Sequence, residues 1–247
     1  FEGQMDDAIN LKTELVYIKE VIAPNQFVVT SQLSMNDKLA LFNPREGVLI
    51  GECAVLRIVK HTAGYLITTD KDFDNLRTGT DKTSDMFFNM NKSNAGFILK
   101  DNIFRNSRRY GMVVQATNGL IEGNRFENIS TGAIVLQNSA GWPEGFVPSQ
   151  VMISNNIIHN CGFDKSFWNE REQAAPVILR TNTYTKTQAL WQGISNITIK
   201  GNEIHSNSDK AVFISGAKNV WLVKNKGYVK GGSDLYALEN HSQIVIE

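Results

Sequence analysis

One pattern recurs from residue 96 onward, and it restricts the fold more than any other feature of this chain. An apolar pair, an Asn, any residue, a Phe or Ile and a polar turn are followed by another apolar run. The instances are Phe97-Ile98-Leu99-Lys100-Asp101-Asn102-Ile103-Phe104, Leu120-Ile121-Glu122-Gly123-Asn124-Arg125-Phe126, Val151-Met152-Ile153-Ser154-Asn155-Asn156-Ile157-Ile158 and Ile197-Thr198-Ile199-Lys200-Gly201-Asn202-Glu203-Ile204, with a weaker one at Val220-Trp221-Leu222-Val223-Lys224-Asn225. Each repeat carries a second apolar run after its turn: Met112-Val113-Val114, Ala133-Ile134-Val135-Leu136, Val177-Ile178-Leu179 and Val212-Phe213-Ile214. Short strands at a fixed period, with no helical periodicity between them, stack as parallel sheets wound into a solenoid. An antiparallel sandwich would also space its strands evenly, but would not repeat one Asn-x-Phe corner. The expected fold is all-β, a right-handed parallel β-helix. The repeated Asn is expected to sit at a corner, bonding local backbone and tolerating left-handed φ.

Spacing between corner asparagines shows where the coils swell. Asn102 to Asn124 is 22 residues and Asn202 to Asn225 is 23, the bare coil. Asn124 to Asn156 is 32 and Asn156 to Asn202 is 46, excesses of about ten and about 23 residues on the repeat arithmetic. The surplus falls in loops at 138–149 and 162–193, and solenoid insertions gather on the face that binds. Trp142, Phe146, Phe163, Phe167, Trp168 and Trp191 lie in or beside them. Rings on protruding loops suit the C–H faces of sugars, although each could equally pin its loop to the solenoid.

Residues 1–11 fit the same template. Phe1-Glu2-Gly3-Gln4-Met5-Asp6-Asp7-Ala8-Ile9 runs parallel to Phe126 through Ile134, with Asp7 in the place of Gly132 and of Gly111. The chain opens inside a coil and without Met, so a piece upstream is expected to have been removed. Over 12–94 the repeat vanishes. Six short strands are expected there, at Leu15–Val21, Phe27–Thr30, Lys38–Phe42, Val48–Ile50, Ala54–Lys60 and Tyr65–Thr68, punctuated by turn signals such as Pro24-Asn25 and Asn43-Pro44-Arg45. The reading is a partial β-helix coil (1–11), an inserted antiparallel barrel-like module (12–94) and further β-helix coils (95–247).

Composition narrows the partners. Lys+Arg and Asp+Glu are both 25, and a balanced chain lacks the cationic surplus that phosphate backbones demand, so no nucleic acid is expected. No run of 18 apolar residues is present, so no membrane span is expected. Cys53 and Cys161 read as buried hydrophobes, and the four histidines have no metal-ligand spacing, so neither a metal nor another cofactor is expected.

Chemistry concentrates on one flank. Asp6 and Asp7 sit at a turn–strand junction, Arg108 and Arg109 at the equivalent junction of the next coil, and the Trp142-Pro143-Glu144-Gly145 loop leaves the coil after that. Two coil spacings of about 4.8 Å put the acidic pair about 9.6 Å from the base of the Glu144 loop. Inverting glycosidases need carboxyls about 6.5–9.5 Å apart. Strand alternation implies that only one of Asp6 and Asp7 faces solvent squarely. A crowded pair raises one pKa. The alternative is structural, with the acids salt-bridged to Arg108 or Arg109.

These residues together resemble a known family. Phe1 through Asn10, a barrel insert, Asn106-Ser107-Arg108-Arg109-Tyr110-Gly111, Asn124-Arg125-Phe126 and Gly141-Trp142-Pro143-Glu144 occur in this order, and the series looks like the bacterial β-helical α-1,3-galactosidases, inverting enzymes that remove terminal galactose. The resemblance spans about residues 1–205, and its most specific element is Asp-Asp-Ala-Ile-Asn before a barrel. It implies catalytic roles for Asp6, Asp7 and Glu144, one of the pair supplying a general base and Glu144 an acid, and a substrate contact from Trp142; Asn10, Arg108, Arg109 and the loop residue Trp168 are read as further substrate contacts. It implies a galactose-terminated glycan as partner and a secreted or periplasmic location. The chain departs from the family at Asn10-Leu11-Lys12-Thr13, where a His-Gly pair is expected. Two other classes fit the same residues: a Ca²⁺-dependent polysaccharide lyase, with Lys or Arg as base, and a non-catalytic glycan-binding solenoid.

Overall fold

The computed structural model describes residues 1–166, 174–230 and 234–247. Among the described residues the named regular elements are strands, together with a 3₁₀ turn at Met90–Lys92. The chain begins the solenoid with β1 (Ile9–Leu11), leaves it for a barrel, and returns. The barrel is closed, in the order β2 (Glu14–Ala23), β3 (Gln26–Val29), β6 (Gly64–Thr69), β5 (Val48–His61), β4 (Lys38–Asn43) and β7 (Met86–Asn89), and its pairings are antiparallel. After it come β8 (Ile98–Lys100), β9 (Ile103–Ser107), β10 (Met112–Val114), β11 (Gly119–Glu122), β12 (Arg125–Ile129), β13 (Ile134–Gln137) and β14 (Ser149–Ser154). The last are β15 (Ile157–His159), β16 (Val177–Arg180), β17 (Ile194–Lys200), β18 (Glu203–His205), β19 (Val212–Val223), β20 (Lys226–Tyr228) and β21 (Tyr236–Ile246).

Among the described residues the solenoid strands pair in parallel. One face stacks β9-β12-β15-β18-β20. The other sheet holds ten strands: β8-β11-β14-β17 on one side and β1-β10-β13-β16 on the other, joined because β19 runs through both, with β21 along β19. The register follows the repeat. Ile9 pairs with Met112, Met112 with Ile134, Ile134 with Val177 and Val177 with Val212, so identical template positions form one buried column. Phe1 stacks on Phe104 and Phe104 on Phe126, each at 4.8 Å between centroids and within 6° of parallel. The first residues therefore lie on the coil stack in the register that the template gives them.

The corner asparagines act differently from expectation. Left-handed φ falls one residue earlier, at Asp101, Gly123, Asn155, Gly201 and Lys224. Asn124, Asn156 and Asn202 are buried, Asn102 and Asn225 at the ends of the series half-buried, and all bond from coil to coil. Nδ2 of Asn102, Asn124, Asn156 and Asn202 donates in turn to Oδ1 of Asn124, Asn156, Asn202 and Asn225 at 2.9–3.1 Å. Each also donates its backbone N–H to the same oxygen. A bend leaves backbone donors without a sheet partner, and one amide per coil satisfies them by passing bonds along the stack.

Two expectations for the barrel fail. The segments 48–50 and 54–60 form one strand, β5, because Gly51 continues it and makes room for the ring of Phe73, against which any Cβ there would press at 2.8 Å. Met86–Asn89 was not expected as a strand, yet it closes the barrel between β2 and β4. It is buried on both faces and so shows no alternation: Phe87 enters the barrel core, while Met86 and Phe88 enter the solenoid core. Strand β4 divides likewise, with Leu39 and Leu41 inside the barrel and Ala40 and Phe42 against the solenoid.

Candidate functional site

The side of the ten-stranded sheet that carries β1, β10, β13 and β16 turns its first and third residues into the solenoid core and its second to the outer face, where Val113, Val135 and Ile178 are buried in a cluster of their own. The residue after the third also points outward, which stacks Lys12, Gln115, Gln137 and Arg180 in one row on successive coils. Above this row two insertions rise: residues 138–149, and the part of the second at 180–193. They meet where Gly141 passes so close to the Tyr184 carbonyl that a Cβ would come to 2.7 Å. The second loop also leans on the barrel, Tyr184 N–H donating to the Pro44 carbonyl at 2.7 Å. Row and loops enclose a cleft of about 950 Å³, at the upper end of the ~300–1,000 Å³ usual for small-molecule sites.

Asp6, Asp7, Asn10, Arg109, Trp142 and Glu144 all line this cleft. Both aspartates line it, because residues 5 to 8 form a bend and β1 begins only at Ile9, yet only one of the two is exposed. Asp6 is exposed and its Oδ1 accepts the Asp7 N–H at 3.0 Å. Asp7 is half-buried, and its carboxyl is pushed up to about 6. Burial is the main cause and the Asp6 charge the next; the Tyr110 backbone N–H and the Arg109 cation offset part of this, and Glu144 adds to it. Glu144 is thus near enough for its charge to be felt at Asp7.

Glu144 is a bound carboxylate. Oε2 accepts from Asn10 Nδ2 at 2.9 Å and Oε1 from the Lys12 ammonium. Both carboxylate oxygens are thus engaged, and the acid role that the resemblance implied would require breaking one of these contacts. Lys12 stands where the family's His-Gly is missing, and here it supplies that counter-charge. Trp142 is 71% exposed at the rim. Phe146 and Trp191 do the opposite, packing at 6.1 Å from one another and against the barrel's Phe42, so they are anchors. Arg108 does not line the cleft: it is exposed, one residue out of phase with Arg109, its N–H donating to the Gln4 carbonyl. Trp168 and Phe167 lie outside the described residues.

Several lining residues were missed. Lys12, Gln115, Gln137 and Arg180 each follow an apolar run of the repeat, and reading one position further would have found the row. Arg180 donates to Gln137 Oε1 at 2.9 and 3.0 Å and is bonded to the Tyr110 hydroxyl. Burial pushes that phenol up to about 12, so it stays protonated. Gln115 is fully buried with an unpartnered Oε1, a buried acceptor beside the space a ligand would fill. Thr185, Lys186 and Thr187 come from a loop with no template position. Among the described residues no group of three or more His, Cys, Asp or Glu is gathered to hold a metal ion, and no helix is long and apolar enough to cross a membrane.

One family comparison agrees with this architecture. A family model described as a right-handed β-helix region matches residues 87–185. An α-1,3-galactosidase B of Akkermansia muciniphila is 27% identical over 173 residues, a match covering 65% of this chain and 21% of that protein. The chain thus spans about a fifth of the length of that curated relative. Among solved structures, the tailspike protein gp49 of Pseudomonas phage LKA1 is matched with a TM-score of 0.35 and 11% identity, over 90% of this chain and 43% of that one. The chain is a right-handed parallel β-helix protein with an inserted antiparallel barrel, similar over about two thirds of its length to an α-1,3-galactosidase.

Proposed function

We propose that this chain carries the sugar site of an inverting glycoside hydrolase that acts on terminal α-linked galactose. The observation that carries the reading is the Asp6–Asp7 pair lining a cleft rimmed by Trp142. A general base works best with a pKa close to the operating pH, and Asp7 is raised to about 6. As the glycosidic bond breaks, its electron pair leaves with the aglycone oxygen, which takes a proton from solvent, while Asp7 takes a proton from the water that attacks the anomeric carbon and Asp6 sustains its basicity. Asn10, Lys12 and Glu144 form a linked polar wall for sugar hydroxyls, Gln137 and Arg180 a second, and Trp142 offers a ring for the sugar's C–H face. The similarity to a galactosidase supports the choice of sugar. A glycan substrate of this kind also supports the expectation that the protein is exported.

An aryl α-galactoside with an activated leaving group tests the base alone, because its phenolate departs without a proton. We expect hydrolysis with kcat/KM falling as the pH drops below about 6, where Asp7 becomes protonated. The first product anomer should be inverted, as read by proton NMR. Asp7→Asn should cost on the order of 10²–10⁴ in kcat while still binding galactose. Undiminished turnover by that variant would end the proposal. Activity restored only by calcium on acidic polymers would favour the lyase reading instead.

A further inference from the structure

A second cleft, of about 450 Å³, opens on the other side of the Trp142 loop. Gly141, Trp142 and Glu144 line both spaces, and the far wall of the second belongs to the barrel: Tyr17, Thr80, Asp81 and Lys82. We infer that this is a second sugar subsite, in which the barrel loop Thr80–Lys82 and the Trp142 loop hold the saccharide unit next to the terminal one. The inference rests on the proposed hydrolase reading and extends it from the terminal sugar to its neighbour.

Three observations support it. First, the two clefts share one wall, so a chain of sugars can pass from one to the other over the Trp142 indole, whose large exposure leaves it accessible. Second, the barrel loop is held in shape. Asp85, 1% exposed, accepts from Arg45 Nη2 at 2.8 Å and from the Arg77 N–H at 2.7 Å, and Arg45 Nη1 reaches the Thr83 carbonyl at 2.6 Å. The Gly79 N–H donates to the Ile18 carbonyl at 2.8 Å, which ties the loop to β2. A loop fixed by buried bonds presents its tip without an ordering cost on binding. Third, the tip chemistry suits vicinal hydroxyls. Asp81 is held by the Thr83 N–H and hydroxyl at 2.6 Å, which lowers its pKa and keeps it an acceptor. Lys82 is an exposed donor beside it, and Tyr17 adds a ring. A carboxylate, an ammonium and aromatic rings around a small cleft are the groups that bind a pyranose.

Calorimetric titration of the full chain with galactose, and with a disaccharide that ends in α-linked galactose at a pH below 5 where turnover is slow, tests the inference. The disaccharide should bind about tenfold more tightly than the monosaccharide, a difference of about 1.4 kcal/mol. The double variant Asp81→Ala, Lys82→Ala, exposed and clear of the core, should reduce that preference to within about twofold. If the wild type binds both sugars equally, or the variant keeps the full preference, the subsite is refuted and the hydrolase reading stands. If neither sugar binds the wild type, the hydrolase reading fails and the subsite falls with it.

Discussion

Asp7 carries the charge that the cleft solvates least, and its titration should be visible in stability as well as in activity. Its pKa is about 6 in the folded protein against 3.8 for an aspartate free in water. Between those values the folded state holds the proton more tightly than the unfolded chain does, so stability declines as pH rises from about 4 to about 6 and is level above. Asp7→Asn removes the ionisation and should stabilise the protein at pH 7. At a half-buried site, solvent screening reduces the gain to about 1 kcal/mol. Denaturant melts at pH 4 and pH 7 check this: the advantage of the variant should be present at 7 and vanish at 4. An equal difference at both pH values would mean that the carboxyl is not strained. The neighbours of Asp7 also show what single residues reveal in a sequence. Asp6, Asn10, Arg109, Trp142 and Glu144 line one cleft because a fixed repeat turns position into location. Arg108 was misplaced because the bend between coils does not follow strand alternation. The proton role of Glu144 could not be read either, since it depends on Lys12, a partner 132 residues away in the chain.

At the level of the element, the asparagine ladder stabilises the corners of this solenoid. Asn156 sits in its middle, fully buried: its Oδ1 accepts from the Asn124 N–H at 2.8 Å and from Asn124 Nδ2 at 3.0 Å, and its Nδ2 reaches both Ile121 O and Asn202 Oδ1. Asn156→Ala strands buried donors and acceptors on both adjacent coils, at roughly 1–3 kcal/mol for each group left unsatisfied. A total loss of about 3–5 kcal/mol is expected, read as a lower denaturant midpoint. Asn102 ends the ladder and is only half-buried, so Asn102→Ala should cost about 1 kcal/mol. Equal losses at the two positions would show that the ladder does not act through burial. The repeat made the corners legible, yet the direction of these bonds was not. The pattern states which residue recurs, and only stacking shows that its amide points along the solenoid.

For the whole molecule, the question is how a barrel inserted between two coils comes to shape a cleft on the solenoid. Strands β4 and β7 supply the joint, because each turns one face into the barrel and the other into the coil core. That double burial is also why β7 escaped detection, as a strand without alternation has no signature four residues long. At the joint Phe146 lies 5.5 Å from Phe88, 6.0 Å from Phe42 and 6.1 Å from Trp191. Phe146 follows Glu144 by two residues, so the cluster that joins the two bodies also anchors the loop carrying Trp142 and Glu144. Phe146→Ala should therefore have two effects. Emptying the cluster should cost about 3–5 kcal/mol of stability. Releasing the loop should weaken galactose binding by about tenfold or more, since a loop that must be ordered on binding spends part of the interaction energy. Phe146→Leu, which keeps most of the volume, should recover both in part. Melting curves and sugar titrations on the two variants separate the effects: lost stability with unchanged affinity would show that the loop is placed by its own turn at Ser139–Trp142 and that the barrel joint plays no part in forming the cleft.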